Sequence, residues 1–578
     1  MRSHHLVGGS GMPGSGWVGS RLLGLVLSLG LGLGLGMGLA GCGGDPNDPH
    51  TWAKKLGNIR DQKEALDHIA NMELERARPV VPELMALYQE SKNPEHLQAL
   101  SRYLDPRTKP LFIEALDYTD EQFDKAITAA GVLGEMKAAE AVEPLIAAAE
   151  KPLPIKSRAN SAKLAAIRAL VRIGDKRAVP LLIKILNTSA NEQDFLLNQR
   201  AALGLAELRP PEAVPALIKG LFMTGRGTDI FQECRLGLVR IGTPAIDPLI
   251  ELLQGKNPDV RAMAAELKFD QVTPGIVPYK AAYLLGDLRA EKAVPILIGQ
   301  LSIPVKGPEH SAIVIALGQI GNAEAVGALV AIAQNAKADP RLRISATDAL
   351  YMAGDRRALP TLLDLAKSGY VTVEGQKISE LRANAAVDFA RLAGPEDFDV
   401  MKALADKEQE AAGLFGEALD RLTVAKECGD KTACYGKTLS DPSWPRAEKA
   451  AFALGFSGDK AGIPHLLGAL KPLAALPQER YPVHQAVLFA LVHLADKTCD
   501  DCADKLLKQI ERDEKAVRLP GARGLLAETR VALAMIQNTD PGAAAAKKKL
   551  LASADKLPAG KAGKAGRAPK APRKGKKK

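Results

Sequence analysis

The sequence predicts an all-α fold, an α-solenoid of about ten to twelve helical hairpins followed by a basic tail, and three observations predict it. Residues 164–186, LAAIRALVRIGDKRAVPLLIKIL, carry two apolar stripes at helical spacing separated by a Gly-Asp punctuation. Variants of that stretch recur at a nearly constant interval through most of the 578 residues. After residue 540 the apolar periodicity stops and Lys, Ala, Gly and Pro take over.

Leu164, Ile167, Leu170 and Ile173 share one helical face, so the first helix of the unit has a side that avoids water. Gly174 suits the left-handed residue that ends a helix, and Asp175 suits the cap that starts the next. Val179, Leu182, Ile183 and Leu186 form the second stripe, with Pro180 placed early, where a missing N–H costs least. A hairpin this small cannot shield both stripes, so it must stack on a neighbour. Counterparts of Pro180 fall at Pro144, Pro215, Pro248, Pro295, Gly327, Pro360, Asp399 and Pro464, with weaker copies around Pro82 and Pro110. Most steps are 32 to 39 residues, and two are longer, at 47 and 65.

The run Gly174 Asp175, Arg177 Ala178 Val179 Pro180, Leu182 Ile183 resembles the GDxRAVPxLI signature of short bacterial HEAT-like repeats. The resemblance implies a stack of helical hairpins and says almost nothing about function. Some members of that group are bilin lyases or hydroxylases, so it does not by itself decide between binding and catalysis.

The chain before the array divides at residues 1–41 and 42–60. Arg2 and Arg21 flank a Gly-rich opening, and an apolar run follows from Leu22 to Gly41. This is the order of an export signal. Leu39 Ala40 Gly41 Cys42 resembles the lipobox of bacterial lipoproteins, which implies cleavage before Cys42 and acylation of its sulfur. The competing reading is an uncleaved spanning helix, for which twenty apolar residues are long enough. Residues 42–60 are then a polar linker holding a tethered body near a membrane.

The repeat array is expected over residues 61–405, and its interruptions are the places where partners bind in such stacks. Three interruptions stand out. Residues 254–279 carry Phe269, Val272, Ile276 and Val277 in a stretch broken by Pro274, Gly275 and Pro278, expected either to dock a partner or to cover a neighbouring hairpin. Residues 369–379 alternate around Glu374 Gly375 and predict a small β-hairpin bearing Tyr370, Val371 and Val373. Residues 223–232 read as a flexible polar connection. Charged runs such as Asp355 Arg356 Arg357 and Arg289 Ala290 Glu291 Lys292 fall in turns and are expected to be solvated.

Residues 406–540 resume the hairpins and hold Cys428, Cys434, Cys499 and Cys502; Cys234 sits in an ordinary helix and is read as core. In an oxidising compartment paired cysteines favour disulfides. A redox CxxC at Cys499 and Cys502 is the second reading, although Asp500 and Asp501 between the sulfurs disfavour a thiolate. A zinc site is the third, using all four sulfurs, or Cys499 and Cys502 with His493.

No phosphate-binding GxxxxGK[ST], HExxH or GxSxG motif occurs, and the reading assigns no catalytic residue, metal or cofactor. Of the formal charge of +10, residues 547–578 carry +12, from 13 Lys or Arg against Asp555, which leaves the rest at −2. The acidic body offers no basic stripe to continue a nucleic-acid path, so nucleic acid is disfavoured as a partner. Residues 541–578 cannot bury enough surface to fold, and Lys570, Arg573, Lys574, Lys576, Lys577 and Lys578 are the expected contacts to an anionic envelope polymer. The sequence therefore points to an exported protein of the bacterial cell envelope, lipid-anchored at the outer membrane or periplasmic face, that binds unidentified proteins and catalyses nothing. The alternatives are a cytoplasmic binder of nucleic acid or acidic partners using the tail, and a redox or zinc protein centred on the CxxC.

Overall fold

The computed structural model of the protein describes residues 45, 47–303, 308–373, 376–407 and 412–543. The expected signal with Cys42, and the tail residues from Lys570 to Lys578, lie outside the described residues. The described chain forms two compact units, one up to Asp105 and one from Pro106 onward.

In the N-terminal unit, Asp48 caps a helix, Pro49–Leu56, by accepting from the His50 N–H at 3.0 Å. Trp52, Ala53 and Leu56 are buried, and Trp52 stacks on His68 with ring centroids 3.8 Å apart. The expected linker 42–60 is thus partly helix. Asp48 Pro49 is a start signal, and the spacing from Trp52 to Leu56 puts both on one face. Helices Gln62–Asn71, Leu74–Ala77, Val81–Ser91 and Pro94–Leu100 complete the unit, with Pro82 in the first turn of its helix, as the weak repeat copy required.

The second unit contains eleven hairpins among the described residues, and a further helix ends the series. The first helices of the hairpins are α1 (Asp124–Glu135), α2 (Asn160–Ile173), α3 (Phe195–Leu208), α4 (Phe231–Ile241), α5 (Ile276–Asp287) and α6 (Glu309–Ile320). They continue as α7 (Pro340–Met352), α8 (Glu380–Leu392), α9 (Ala412–Cys428), α10 (Trp444–Ser457), α11 (Tyr481–Leu494) and the terminal α12 (Pro520–Asn538). Each packs on the next, and close approach is possible because small residues meet there. A Cβ on Gly134, Gly286, Gly318 or Gly455 would lie 2.7–2.9 Å from the Cα of Ala169, Ala316, Ala349 or Ala490 on the following helix.

The repeat signature works as the residues suggest, and further. Gly174, with φ of 80°, ends α2. Asp175 accepts from the Arg177 N–H at 2.9 Å and caps a 3₁₀ turn, Lys176–Ala178, before the second helix. Arg177 folds back onto the Asp175 carboxylate and also donates to the Ala139 carbonyl at 3.0 Å, tying its hairpin to the preceding one.

The array also closes on itself. Val531, Ala534 and Met535 of α12 pack against Ala206 of α3 and Leu236 and Val239 of α4, almost 300 residues earlier in the chain. Arg235 of α4 is only 1 % exposed and donates to Asp287 at the end of α5 at 2.7 Å and to Glu528 of α12 at 2.8 Å. Burial opposes the Arg235 charge, but Asp287 and Glu528 outweigh it and hold the guanidinium more firmly protonated than usual. Helices α4 to α12 are therefore a closed circuit. Its middle is crossed by direct contacts: Tyr351 of α7 meets Phe452 of α10 with centroids 5.3 Å apart, and Arg289 after α5 lies 3.3 Å from His493 of α11. At these two places the inner edges of the helices face one another.

Two expectations about the interruptions change. In residues 254–279 the helix Pro258–Glu266 is followed not by a loop but by a short helix, Phe269–Val272, and the start of α5, because Pro278 falls in a first turn, where it needs no N–H partner. Residues 223–232 are not a flexible connection but a two-stranded hairpin, β1 (Thr224–Gly225) and β2 (Thr228–Asp229). Arg226 and Gly227 both take positive φ, 52° and 76°, as the tight turn matching strand twist requires. The predicted hairpin at 369–379 is present as β3 (Val371–Val373) and β4 (Gln376–Ile378), with Val371 opposite Ile378.

Candidate functional site at the turn edge

Four hairpins in a row end their first helices on one edge of the circuit, and their Gly-Asp or Gly-Pro turns surround a cavity of about 770 Å³. The turns are Gly354–Asp355 after α7, Gly394–Pro395 after α8, Gly429–Asp430 after α9 and Gly458–Asp459 after α10, and His493 of α11 completes the wall. The punctuation that defines the repeat thus becomes, by convergence, the lining of a site.

Each turn is fastened. Asp355 is 1 % exposed and accepts from the Arg357 N–H at 3.0 Å, while the Arg357 guanidinium folds onto its carboxylate at 2.6 Å. Arg356 pairs with Glu396 and, at 3.0 Å, with Asp397 across the next turn. The expectation of a solvated Asp355–Arg357 run holds for Arg356, which stays exposed while paired, and is corrected for Asp355 and Arg357, whose side chains are 1 % and 15 % exposed and pair with each other. Lys292 of the other run keeps an exposed pair with Asp247, whereas Arg289 is half-buried against His493. The third turn is held by the Cys428–Cys434 disulfide, whose Cα atoms are 5.3 Å apart, and by Tyr435, which donates to the Gly429 carbonyl at 2.8 Å. Thr432 donates to Asp459 at 2.9 Å and so joins the third turn to the fourth.

Behind the cavity lies a buried ionic network that the sequence did not announce. Glu448 of α10 accepts from Arg391 of α8 at 3.0 Å and from Arg421 of α9 at 2.8 Å, and Arg391 also donates to Asp388 at 2.7 Å. Burial pushes the Glu448 carboxyl up, yet Arg391 and Arg421 outweigh it and hold it below the usual range. Asp348 of α7 has the opposite fate: burial, then the neighbouring Asp388 carboxylate, raise it to about 8. Lys449 is 2 % exposed and donates to the Arg391 and Ala393 carbonyls at 3.1 and 2.6 Å, capping the C-terminus of α8. Burial, then Arg356, lower its ammonium to about 7. The only hint in the sequence is that Arg391, Glu448 and Lys449 occupy helix positions flanked by inward alanines and leucines; separations of 57 residues conceal the pairing.

The other candidate residues stand elsewhere. Phe269 is half-buried with its ring 5.7 Å from Phe222 of the preceding hairpin, so it covers that hairpin, while Val272 is 71 % exposed. Ile276 and Val277, in the first turn of α5, are half-buried. Arg382 of α8 donates to the Tyr370 hydroxyl at 2.5 Å and lies over its ring, fixing the base of the β3–β4 hairpin. Cys499 and Cys502 are bonded at the start of helix Asp500–Ala516, where the Cys499 sulfur accepts from the Cys502 N–H at 3.2 Å. Cys234 is fully buried, as read from its helix. Among the described residues no group of three or more His, Cys, Asp or Glu is arranged to hold a metal ion, and no helix is long and apolar enough to cross a membrane.

Family models match HEAT repeats at residues 110–194 and 309–375 and a PBS lyase HEAT-like repeat at residues 199–222. No curated protein matches the chain. Among solved structures, the CpcE–CpcF complex of phycocyanin lyase from Nostoc sp. PCC7120 is 26 % identical, with 50 % of this chain and 95 % of that one covered and a TM-score of 0.24. The karyopherin Kap121p bound to the extreme C-terminus of the protein phosphatase Cdc14p is 12 % identical, over 84 % of this chain and 53 % of that one, with a TM-score of 0.41. Human deoxyhypusine hydroxylase is 20 % identical, over 52 % and 98 %, with a TM-score of 0.18.

Proposed function

We propose that the chain, which matches HEAT-repeat models over residues 110–194, 199–222 and 309–375, is a lipid-anchored scaffold of the cell envelope that binds other proteins through its repeat surface and performs no catalysis of its own. The observation that carries the binding reading is the turn edge. Its four converging turns are fixed by caps, ion pairs and a disulfide, and a pre-formed surface of that kind binds without first ordering itself. Export is supported by the order of charged, apolar and Leu39–Cys42 segments, and by two cysteine pairs at bonding geometry, since disulfides persist in oxidising compartments. One acyl chain binds a membrane reversibly and two anchor it, so a lipidated Cys42 would tether an otherwise water-facing body. Lys570, Arg573, Lys574, Lys576, Lys577 and Lys578 would add contact with anionic envelope polymer, screened by salt.

The test is to grow cells on labelled palmitate and recover the native and Cys42→Ala chains from membrane and soluble fractions. The reading expects label and membrane retention in the native chain alone. An unlabelled native chain in the cytosol would overturn it.

A further inference from the structure

We propose that Lys449, in the wall of the turn-edge cavity, takes up carbon dioxide as a carbamate, and that Arg356 receives the new negative charge. The inference rests neither on the lipid anchor nor on protein binding.

Lys449 lines the cavity and is only 2 % exposed. Its Nζ donates to the Arg391 and Ala393 carbonyls at 3.1 and 2.6 Å, and no third acceptor meets it among the described residues. Two acceptors suit a neutral amine, with two N–H bonds and a lone pair, better than an ammonium, which has three N–H bonds to place. The surrounding charges agree. Burial opposes the ammonium first, then Arg356, and Arg421 adds to them, whereas Asp397 and Glu396 favour it but are themselves paired with Arg356. Lys449 therefore offers a lone pair at neutral pH, where a solvent-facing lysine does not.

Size and charge select the reactant. An amine so enclosed is reached only by a small electrophile with no tightly held hydration shell to shed. Carbon dioxide is three atoms, linear and uncharged, and it reacts with the neutral form of an amine. The nitrogen lone pair adds to its carbon, one C–O π bond opens onto oxygen, and one N–H proton leaves to solvent. The product is an N-carboxylate of the lysine, and no oxidant or reductant is needed.

This product is an anion, so the charge that repels the ammonium now attracts the adduct. Both hydrogen bonds of the Arg356 guanidinium come from Nη2, and its Nη1 makes none among the described residues. That Nη1 lies 2.9 Å from where a Cβ on Gly394 would stand, and Gly394 follows the residue whose carbonyl Lys449 meets most closely. A guanidinium N–H thus stands within a residue's length of the amine, ready for a charge-assisted hydrogen bond to the carbamate oxygens. The carbamate nitrogen keeps one N–H for the nearer carbonyl, that of Ala393.

The test is to equilibrate the full-length chain with carbon-13-labelled bicarbonate and carbon dioxide, fix carbamates as ethyl esters with triethyloxonium, and locate them by mass spectrometry after digestion. A peptide with a free α-amino group in the same tube is the reference amine. The expected result is an ethoxycarbonyl group on Lys449, at a yield equal to the reference or above it. The yield should rise as the pH passes about 7, because the ammonium must lose its proton before it reacts. Arg356 is half-exposed and its pairs add little stability, so Arg356→Gln should fold. Its carbamate yield should be lower by about tenfold, the worth of one hydrogen bond to a charged group. In guanidinium chloride, Lys449 should react no better than the other lysines. A folded native chain whose Lys449 stays unmodified while the reference peptide is converted would overturn the proposal. An Arg356→Gln chain with the native yield would overturn it too, since the adduct would then have no cation assigned to it.

Discussion

Glu448 is the residue on which the interior of the circuit turns, because two buried guanidiniums, Arg391 and Arg421, converge on its one carboxylate. Removing one partner of a buried ion network leaves the others desolvated and uncompensated, at a cost of about 3–5 kcal/mol. Glu448→Gln should therefore lower the free energy of unfolding by about that amount in a urea titration, and a loss within experimental error would show the network to be hydrated. His484 gives a second prediction. Burial lowers its imidazole to about 4, against the smaller opposing influence of Asp513, where it faces Thr529 of α12. The folded value is depressed, so between about 6.5 and about 4 the unfolded chain binds the proton that the folded chain refuses. This contribution to stability is present above pH of about 6.5 and drains away as the pH falls toward 4. The unfolding midpoint of His484→Leu should accordingly fall less between pH 7 and about 4.5 than that of the native chain. Such residues were not legible in advance: Glu448 and His484 lie in helices whose period was clear, but which residue each would face depends on contacts tens of residues away.

At the scale of the helix, the contacts between successive first helices are set by glycine against alanine. Ala ordinarily improves on Gly in a helix interior by about 0.5–1 kcal/mol. Gly131 of α1 has nothing within 4 Å of a new Cβ, and Gly455 of α10 has the Ala490 backbone at 2.7 Å. The same change should therefore act in opposite directions, Gly131→Ala raising the unfolding midpoint and Gly455→Ala lowering it. If both rise, the helices are not held at the distance described. Individual elements were the most legible level of this protein. The stripe from Leu164 to Ile173, the Gly174 end and the Asp175 cap are all local, and locally determined features survive into the fold. The misreadings were local as well. Asp48 Pro49 was passed over as a start, Pro278 was taken as a breaker although a proline in a first turn starts helices as readily, and Arg226 Gly227 was taken for slack when it is turn chemistry.

At the scale of the second unit, closure decides which surfaces exist. Repeat spacing predicts that hairpins stack, and it carries no information on whether the stack stays open, since the curvature per repeat is a small angle summed over many. Here α12 reaches α3 and α4, and the turn edge of the closed circuit holds the pre-formed cavity. The cavity residues were in plain view as punctuation, but their meeting was not, because four turns between Gly354 and Asp459 converge only through the curvature. The disulfide at Cys428 and Cys434 holds the third of these turns.

Closure is tested most directly at its rim, where Arg209, just after α3, donates to Gln537 of α12 at 2.9 Å with both side chains accessible. In an Arg209→Cys, Gln537→Cys chain, a bis-maleimide whose spacer replaces the reach of the two long side chains should form a 209–537 bond within single molecules, detected as one linked peptide pair and independent of protein concentration. A chain that forms no such bond, or forms it only between molecules, would have an open array, and the account of the turn-edge site would fall with it.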